Sequence, residues 1–173
     1  MELGLLKNNI ISLDGEVNDR MIFYLRHALA NSVVSGSPDI QIIISSRGGD
    51  INVGLGIYDL LRLYKGKTTG TVTGFAHSIA AIFLQACDNR QCLKHSEILI
   101  HNASGKMINL DVLRSKKRIK KLIKDLKKTQ AKIDSVLMEK TGQGKKEIQR
   151  ACKKASAMTA EEALEFGLID EIV

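Results

Sequence analysis

The chain has 173 residues, of which 44% are hydrophobic and 26% are charged, a composition typical of one globular domain. No apolar run approaches the roughly 20 residues that a membrane-spanning helix needs, so we expect no membrane association. Residues 1–7 lack the basic segment and the long apolar segment of a secretory signal, and we expect none.

The formal net charge of +7 would permit nucleic-acid binding, but the basic excess is confined to one predicted helix. Few aromatic side chains accompany it, so no platform for stacking on bases is evident. We interpret these residues as a solvated helix face and expect no nucleic-acid partner. The basic residues of this face are Lys116, Lys117, Arg118, Lys120, Lys121, Lys124, Lys127, Lys128 and Lys132.

The chain has three cysteines, Cys87, Cys92 and Cys152, an odd set without the spacing of a metal site. Such a set is typical of a reducing compartment, where thiols stay free rather than forming a Cys87–Cys92 disulfide. We therefore expect free thiols, a cytoplasmic location and neither a metal nor another cofactor.

The beginning of the chain predicts a strand followed by a helix. Residues 9–13 have the composition of a strand, and Asp14-Gly15 is typical of a turn. Asn18 or Asp19 can cap the helix that follows. Helical spacing places four side chains on the inner face of this helix: Ile22, Leu25, His27 and Leu29.

The next part of the chain alternates between strands and helices. After a loop at residues 35–39, residues 40–45 form a continuous apolar run, typical of a parallel strand covered on both faces. We predict a helix over 52–64, a strand over 68–73 and a short apolar helix over 78–87. This order of elements predicts an α/β fold with helical crossovers.

Shorter patterns predict the remaining elements. Leu93 and residues 97–100 belong to strand-like pieces. Residues 145–154 and 160–166 predict two short helices, and residues 168–173 a last strand.

Residues 111–140 predict one long amphipathic helix with a narrow apolar stripe and the basic face on its back. A stripe this narrow cannot cover a large core, so we expect it to pack against a second copy of the chain. Thr141-Gly142-Gln143-Gly144 ends the helix. Four side chains of the stripe recur every seven residues: Val112, Ile119, Leu126 and Ile133.

Two side chains at element edges have the chemistry of a nucleophile and a base. Ser78 follows Gly74-Phe75-Ala76-His77 and opens the apolar helix, where its hydroxyl is exposed. His101 ends the apolar run Ile98-Leu99-Ile100 and has the base chemistry that a serine needs to become a nucleophile. By themselves, Ser78 is also compatible with a helix N-cap and His101 with a structural histidine.

Other residues near these edges are weighed in the same way. Gly48-Gly49 follow the apolar strand and expose backbone N–H groups, which suits an oxyanion hole or a simple strand-to-helix turn. His77 adjoins Ser78, but adjacent side chains on a turn diverge, so it is a poor base for Ser78. His27 and His95 have no catalytic context.

Five motifs, in order and spacing, resemble those of the Clp protease proteolytic subunit (ClpP) family, and the resemblance runs from about Leu6 to Val173. It implies an α/β fold of the ClpP/crotonase type, with stacked βαβ units. These form a head, residues 1–104 and 155–173, and a protruding helical handle, about 105–154, where two rings of the family meet. The motifs are Ile43-Ile44-Ser45-Ser46-Arg47-Gly48-Gly49, Gly74-Phe75-Ala76-His77-Ser78, Ile100-His101-Asn102, Thr141-Gly142-Gln143 and the segment from Met158 to Asp170.

The resemblance also implies an activity: a serine endopeptidase that hydrolyses peptides or unfolded polypeptide inside an oligomeric chamber. The chamber would be a heptameric ring or two stacked rings, and an AAA+ ATPase is a partner of this kind of chamber. Ser78 would be the nucleophile, His101 the base, and the N–H groups of Gly48 and Ile79 the oxyanion donors. A crotonase-type acyl-CoA enzyme would not account for Ser78 together with His101 and the basic helix.

The chain departs from the family pattern at the triad acid, because the family's aspartate position falls on Ala155 and residues 151–157 contain no carboxylate. Three alternatives stay open: another polar group assists His101, the site is a weak Ser–His dyad, or the chain is an inactive structural subunit. A Ser–Lys arrangement would use Lys153 or Lys154 as the base, but exposed lysines are poor bases. The polar groups considered are Asn102, Ser156, Asp134 and Asp170.

Two further departures lie beside the site. Arg47 stands where the family usually has proline, which leaves the approach to the glycines looser or lets the arginine pair with Asp50. His77 stands where the family usually has a small residue, and we expect it to shape the pocket.

Overall fold

The computed structural model describes residues 9–104 and 110–173. Residues 1–7, on which we base the absence of a secretory signal, and residues 105–109, at the start of the predicted handle, lie outside the described part. Within that part, no helix is both long and apolar enough to cross a membrane.

The elements in chain order are β1 (Ile10–Val17), α1 (Asp19–Val34), β2 (Ile40–Gly49), α2 (Ile51–Leu63), β3 (Thr68–His77), α3 (Ile79–Leu84), β4 (Asn89–Cys92), β5 (Glu97–Leu99), α4 (Leu110–Leu113), α5 (Lys116–Thr141), α6 (Lys145–Lys154), β6 (Met158–Thr159), α7 (Ala160–Phe166) and β7 (Glu171–Ile172).

Parallel strands form the centre of the fold. β1, β2 and β3 pair in parallel, with Ile10 opposite Gln41 and Ile40 opposite Thr68, and the sheet continues through β4 to β7. α1 and α2 connect the first three strands, as parallel neighbours require a crossover. This arrangement confirms the predicted α/β class.

The long strand β3 pairs with two strands in turn. Its first half lies beside β4, and its second half lies beside β5, with Phe75 opposite Glu97. β5 also pairs antiparallel with β6, with Ile98 opposite Met158. The chain that leaves β5 towards His101 therefore runs beside the chain that enters β6.

β1 is longer than the sequence predicted. The predicted turn at Asp14-Gly15 is wrong, because the strand continues to Val17. The pairing with β2 shifts between Asp14 and Glu16, and Gly15 has a positive φ of 87° at this bulge. Glycine adopts that angle without steric cost, so the strand bends instead of turning back.

α1 begins as predicted after Asn18, whose side-chain oxygen accepts hydrogen bonds from the N–H groups of Arg20 and Met21. One predicted inner residue is wrong, because His27 is exposed and packs against the Phe23 ring at 4.5 Å between centroids. His27 lies two residues beyond Leu25, which is roughly 200° around the helix. The residues of α1 that are buried are Met21, Ile22, Leu25, Ala28 and Leu29.

The predicted single helix over 111–140 is interrupted. α4 ends at Leu113, and α5 begins after Ser115, whose hydroxyl accepts a hydrogen bond from Arg118 N. A serine at this position stabilises a new helix start. α5 ends at Thr141, followed by Gly142 in the left-handed conformation, as predicted.

The two halves of α5 have different surroundings. Ile133 and Leu137 are 4% and 0% exposed and belong to the main hydrophobic core. Leu122 and Leu126 are only half-buried, and Ile123 is 47% exposed. The prediction that the stripe lies outside the core is therefore wrong at Ile133. In the amino-terminal half of α5, by contrast, apolar side chains stay partly exposed beside the lysines.

The C-terminal elements lie close to their predicted places. The helices over 145–154 and 160–166 are confirmed as α6 and α7. The last strand is shorter than predicted, and the strand expected near Leu93 lies earlier, as β4. β6, at Met158–Thr159, is too short to leave a pattern in the sequence.

The hydrophobic core lies between the sheet and the helices. Ile42, Ile44 and Val72 are fully buried in the central strands, as is Phe83 in α3. All six residues of α3 are buried. Because close packing restricts movement, α3 gives the residue before it, Ser78, a fixed place at the end of the sheet.

Candidate active site

Ser78 lies on the tight turn between β3 and α3. Its φ of 59° and ψ of −127° belong to a region that residues other than glycine rarely adopt. Its N–H donates a 2.7 Å hydrogen bond to Leu99 O at the end of β5. A strained serine on a strand-to-helix turn is typical of a nucleophile, because the turn exposes the hydroxyl. The hydroxyl makes no cap hydrogen bond with α3, although the residue stands at the cap position.

Gly48 lets strand β2 approach Ser78 closely. Gly48 has a φ of 92°, and a Cβ at this position would lie 2.8 Å from Ser78 Cβ and 2.9 Å from His77 O. Contacts this short are absent from well-packed proteins, so a larger residue would push β2 and the serine turn apart. The glycine is therefore required for the shape of the site, beyond its positive φ.

The predicted oxyanion donors differ in their surroundings. Ile79 is the first residue of α3, so its N–H has no acceptor within the helix. Gly48 N–H donates a 3.1 Å hydrogen bond to Ser46 Oγ, and that hydroxyl donates to Gly15 O at 2.6 Å. A substrate oxygen would have to replace Ser46 Oγ as the acceptor. Gly49, the next residue, lines the cavity in front of Ser78.

Ser78 and His101 line the same small cavity, about 40 Å³ in volume. Among the described residues, no hydrogen bond joins Ser78 Oγ to the His101 ring. Hydrogen bonds between catalytic groups often tighten only when substrate binds. The structure thus brings the two predicted catalytic side chains to one cavity. The other residues that line it are Gly49, Ile51, Ile79, Ile82, Ala103, Ser104 and Ile133.

His101 is oriented by a backbone carbonyl. Its Nδ1 lies 2.7 Å from Asn102 O. A carbonyl oxygen can only accept, so Nδ1 carries the proton in this contact and Nε2 keeps its lone pair. That tautomer is the one a histidine needs in order to take a proton from serine.

No carboxylate occupies the predicted acid position. Ala155 is exposed and follows α6 with a φ of 49° and a ψ of 40°. In the β5–β6 pair Ile98 lies opposite Met158, and His101 and Ala155 each lie three residues beyond these paired residues along the chain. The assignment of residue 155 as the acid position stays a prediction from the sequence spacing.

Asp170 is held by an arginine in another part of the fold. Arg90 Nε donates to Asp170 Oδ2 at 3.0 Å, and Arg90 also donates to Gln85 Oε1 and Gly167 O. Burial acts to raise the pKa of Asp170, but the hydrogen bonds from Arg90 outweigh it and lower the pKa below its usual value. The pair joins β4 to the chain before β7, so Asp170 is engaged in a structural contact.

The other groups considered in place of the acid lie in three different settings. Lys153 and Lys154 are exposed, and exposed lysines are poor bases. Ser156 lines a separate cavity between α6 and α7. Asp134 is 4% exposed and is hydrogen-bonded to Gln130, which contacts the loop after His101.

Arg47 and His77, the two further departures from the family pattern, belong to one cluster beside the site. The Arg47 guanidinium lies 4.7 Å from the centroid of the Phe75 ring, a cation–π contact. The Phe75 and His77 rings are 5.4 Å apart. His77 Nε2 lies 2.8 Å from Glu97 Oε1, without the geometry of a hydrogen bond. Because His77 does not line the Ser78 cavity, it is not placed to act as the base.

The cysteines are free and buried, as predicted. Burial raises the pKa of Cys87 to about 12 and the pKa values of Cys92 and Cys152 to about 11. The thiols stay protonated at neutral pH and are poor nucleophiles. Within the described residues, no group of three or more His, Cys, Asp or Glu side chains could hold a metal ion.

Two groups around His101 could not be assigned from the sequence. The carbonyl of Asn102 contacts the ring, but the direction of a peptide unit is not encoded in a residue type. Gln130 lies among the lysines of the basic helix, where no motif singled it out. Its spacing of four residues from Asp134, typical of a hydrogen-bonded pair on a helix, is the signal that could have found it.

Comparison with known protein families agrees with this geometry. The model of the Clp protease family matches residues 2–173. The match includes the Ser78 turn, His101 and the position of Ala155. The chain therefore belongs to the Clp protease family.

Proposed function

We propose that this protein is a serine endopeptidase that cleaves peptides or unfolded polypeptide inside an oligomeric chamber. The Clp protease family consists of serine peptidases, which generally form rings and act on polypeptides. The observation that carries the proposal is the cavity shared by Ser78 and His101. The serine lies on a strained turn, and the histidine has its Nδ1 proton held by a carbonyl.

In the proposed reaction, Ser78 Oγ attacks the carbonyl carbon of the substrate peptide bond while His101 Nε2 accepts the hydroxyl proton. The N–H groups of Ile79 and Gly48 stabilise the negative charge on the substrate oxygen, the latter after losing Ser46 Oγ as its acceptor. His101 then donates the proton to the leaving amine, the C–N bond breaks and Ser78 is acylated. Water, deprotonated by the same nitrogen, hydrolyses the ester and restores the serine.

The substitution of the triad acid by Ala155 lowers the expected rate. Neutralising the acid of an intact triad costs on the order of 10⁴-fold in rate, with the histidine then held in the wrong tautomer. Here the Asn102 carbonyl holds the Nδ1 proton, so the tautomer is kept while the negative charge next to the ring is lost. We therefore expect slow turnover.

The alternative is a ring subunit without activity. Ala155 at the acid position favours it, as does the lack of a hydrogen bond between Ser78 and His101 in the described residues. Such a subunit would keep the fold and the assembly surfaces while its hydroxyl stayed unactivated.

Covalent labelling distinguishes the two. A fluorophosphonate should phosphonylate the protein at Ser78, because the serine oxygen displaces fluoride from phosphorus. Ser78→Ala should abolish both labelling and hydrolysis of small peptide esters. Ser104→Ala is the matched control, because Ser104 lines the same cavity and should be dispensable. If the wild type and Ser78→Ala react alike at every protein concentration, the chain is not a serine peptidase.

The chamber is the second part of the proposal. Leu122 and Leu126 are half-buried apolar side chains on the basic half of α5, and an isolated helix is marginal without packing. We propose that this half contacts a second copy of the chain, as between stacked rings, and that an AAA+ ATPase acts as partner. Salt should strengthen the contact, because screening removes the repulsion between lysines while apolar burial persists.

Sedimentation velocity tests the contact. Leu122→Asp with Leu126→Asp should split a double ring into single rings without unfolding the head. Ile133 is unsuitable for this test, since it is buried in the core and lines the site. An unchanged sedimentation coefficient in the double variant, with raised salt having no effect on the wild type, would place the contact elsewhere.

A further inference from the structure

A buried carboxylate lies close to the loop that follows His101. Asp134, on α5, is only 4% exposed, and burying a carboxylate is costly unless it is paired. Within residues 9–104 and 110–173 it forms no ion pair. Its hydrogen-bond donor is Gln130, one turn earlier on α5, whose Nε2 lies 2.6 Å from Asp134 Oδ1.

Gln130 connects this carboxylate to the peptide unit that holds His101. Gln130 Oε1 accepts a 2.6 Å hydrogen bond from Ala103 N. Because a backbone N–H can only donate, the amide oxygen must face Ala103 and the amide nitrogen must face Asp134. Ala103 N–H and Asn102 C=O belong to the same peptide unit, and that carbonyl accepts the Nδ1 proton of His101 at 2.7 Å.

The three hydrogen bonds therefore form one continuous chain from the imidazole to the carboxylate. It runs from His101 Nδ1 to the Asn102–Ala103 peptide unit, then to the Gln130 amide, and ends at Asp134. Hydrogen bonds in series polarise one another. When Ala103 N–H donates to an amide that itself donates to a carboxylate, the Asn102 carbonyl oxygen becomes more negative and a better acceptor.

We infer that Asp134, acting through Gln130 and the Asn102–Ala103 peptide unit, is the positioning residue for His101 in place of the absent carboxylate at residue 155. It keeps the proton on Nδ1 and favours the imidazolium that forms when Ser78 gives up its proton. Carboxylates that hydrogen-bond the outer ring N–H of metal-binding histidines orient the ring in this way, with losses of roughly 10- to 100-fold in metal affinity or activity on removal. This inference rests on the proposed peptidase activity, because only a working base needs such support.

Two substitutions break the chain of hydrogen bonds at different points. Asp134→Asn keeps the shape but removes the charge, and Gln130→Met keeps the length but removes both hydrogen bonds. Each should lower kcat for a peptide ester by about tenfold with KM little changed. Asp125→Asn, an exposed aspartate on the same helix, is the matched control and should leave kcat unaltered.

The same substitutions made together with Ala155→Asp distinguish two roles for Asp134. One is to orient the His101 ring, and the other is only to hold the loop after His101 in place. A carboxylate at residue 155 would bind the imidazole directly, so Asp134→Asn should then cost less than about threefold. An equal loss of kcat in both backgrounds, or no loss in either, would overturn the inference. If Asp134→Asn does not fold, Gln130→Met carries the comparison alone.

A measurement on the resting protein keeps the inference testable without turnover. The protein has four histidines, so two-bond ¹H–¹⁵N spectra of ¹⁵N-histidine protein can be assigned with His101→Gln. His101 should hold its proton on Nδ1 in the wild type and should shift towards a mixture of tautomers in Asp134→Asn and Gln130→Met. Unchanged ¹⁵N shifts in both variants refute the inference, whereas a lack of fluorophosphonate labelling in the wild type refutes only the peptidase activity.

Discussion

The Ser78 end of the site and the His101 end are built in different ways. The Ser78 end is made by the backbone: a strained turn, a hydrogen bond to Leu99 O and the close approach of Gly48. At the His101 end, the predicted charge would come from a single side chain at residue 155, and that residue is an alanine. The backbone geometry around Ser78 is thus present in this chain, while a carboxylate at residue 155 is absent.

The largest effect on catalysis should come from the backbone-built end. Gly48→Ala should reduce kcat/KM and the rate of fluorophosphonate labelling by about 100-fold or more, because displacing the nucleophile by about 1 Å can cost that much. The new Cβ would lie 2.8 Å from Ser78 Cβ. Steady-state kinetics and labelling time courses measure this loss.

Gly74→Ala separates the close contact from backbone strain. Gly74 has the same φ as Gly48, 92°, but the nearest atom to a new Cβ there is Ser45 Oγ at 3.6 Å. The Gly74→Ala variant should therefore have a free energy of unfolding lower by roughly 1 kcal/mol. Its activity per folded molecule should change little. Equal activity losses in the two variants would mean that the positive φ, and not the approach to Ser78, explains the glycine.

The sequence predicted the two catalytic side chains of the site but not the backbone group that holds one of them. Ser78 and His101 were predicted because each stands where an apolar run meets an element edge, and the structure brings both to one cavity. The Asn102 carbonyl was not predicted, since peptide orientation depends on the whole loop. In the fold, Asp14-Gly15 was misread because the same residues suit a turn and a bulge, and only the pairing with β2 decides between them.

A smaller effect, of opposite sign, should come from the His101 end. Ala155→Asp should raise kcat by about tenfold, because a carboxylate opposite the base would stabilise the imidazolium. Residue 155 has a φ of 49°, and aspartate tolerates this left-handed conformation better than alanine does. The measurement is kcat at fixed pH and salt.

Ala157→Asp is the control for the added charge. Residue 157 is exposed and lies two residues from residue 155, directly before Met158 of the β5–β6 pair. A tenfold gain in both variants would mean that net charge or substrate attraction is responsible. No gain in Ala155→Asp would mean that another group already orients the ring or that Ser78 is misaligned.

The smallest effect on turnover should come from Asp170, a carboxylate engaged by an arginine away from the Ser78 cavity. Asp170→Asn should leave kcat unchanged per folded molecule while lowering the free energy of unfolding by about 2 kcal/mol. This is less than the 3–5 kcal/mol of a fully buried pair, because the Asp170 side chain is 40% exposed and solvent screens the interaction. Chemical denaturation at neutral pH measures the difference.

The pH dependence of that difference follows from the lowered pKa of Asp170. Its ordinary value is 3.8, so the stabilisation by Arg90 is fully present above this pH, where the carboxyl group is ionised in both states. As pH falls below 3.8 towards the folded-state pKa, the unfolded chain binds the proton first and the contribution is lost. The gap in unfolding free energy between wild type and Asp170→Asn should therefore be constant near neutral pH and shrink in acid. A fall in kcat with the gap unchanged would instead make Asp170 part of the catalytic site, and the contrast between the two ends would then no longer hold.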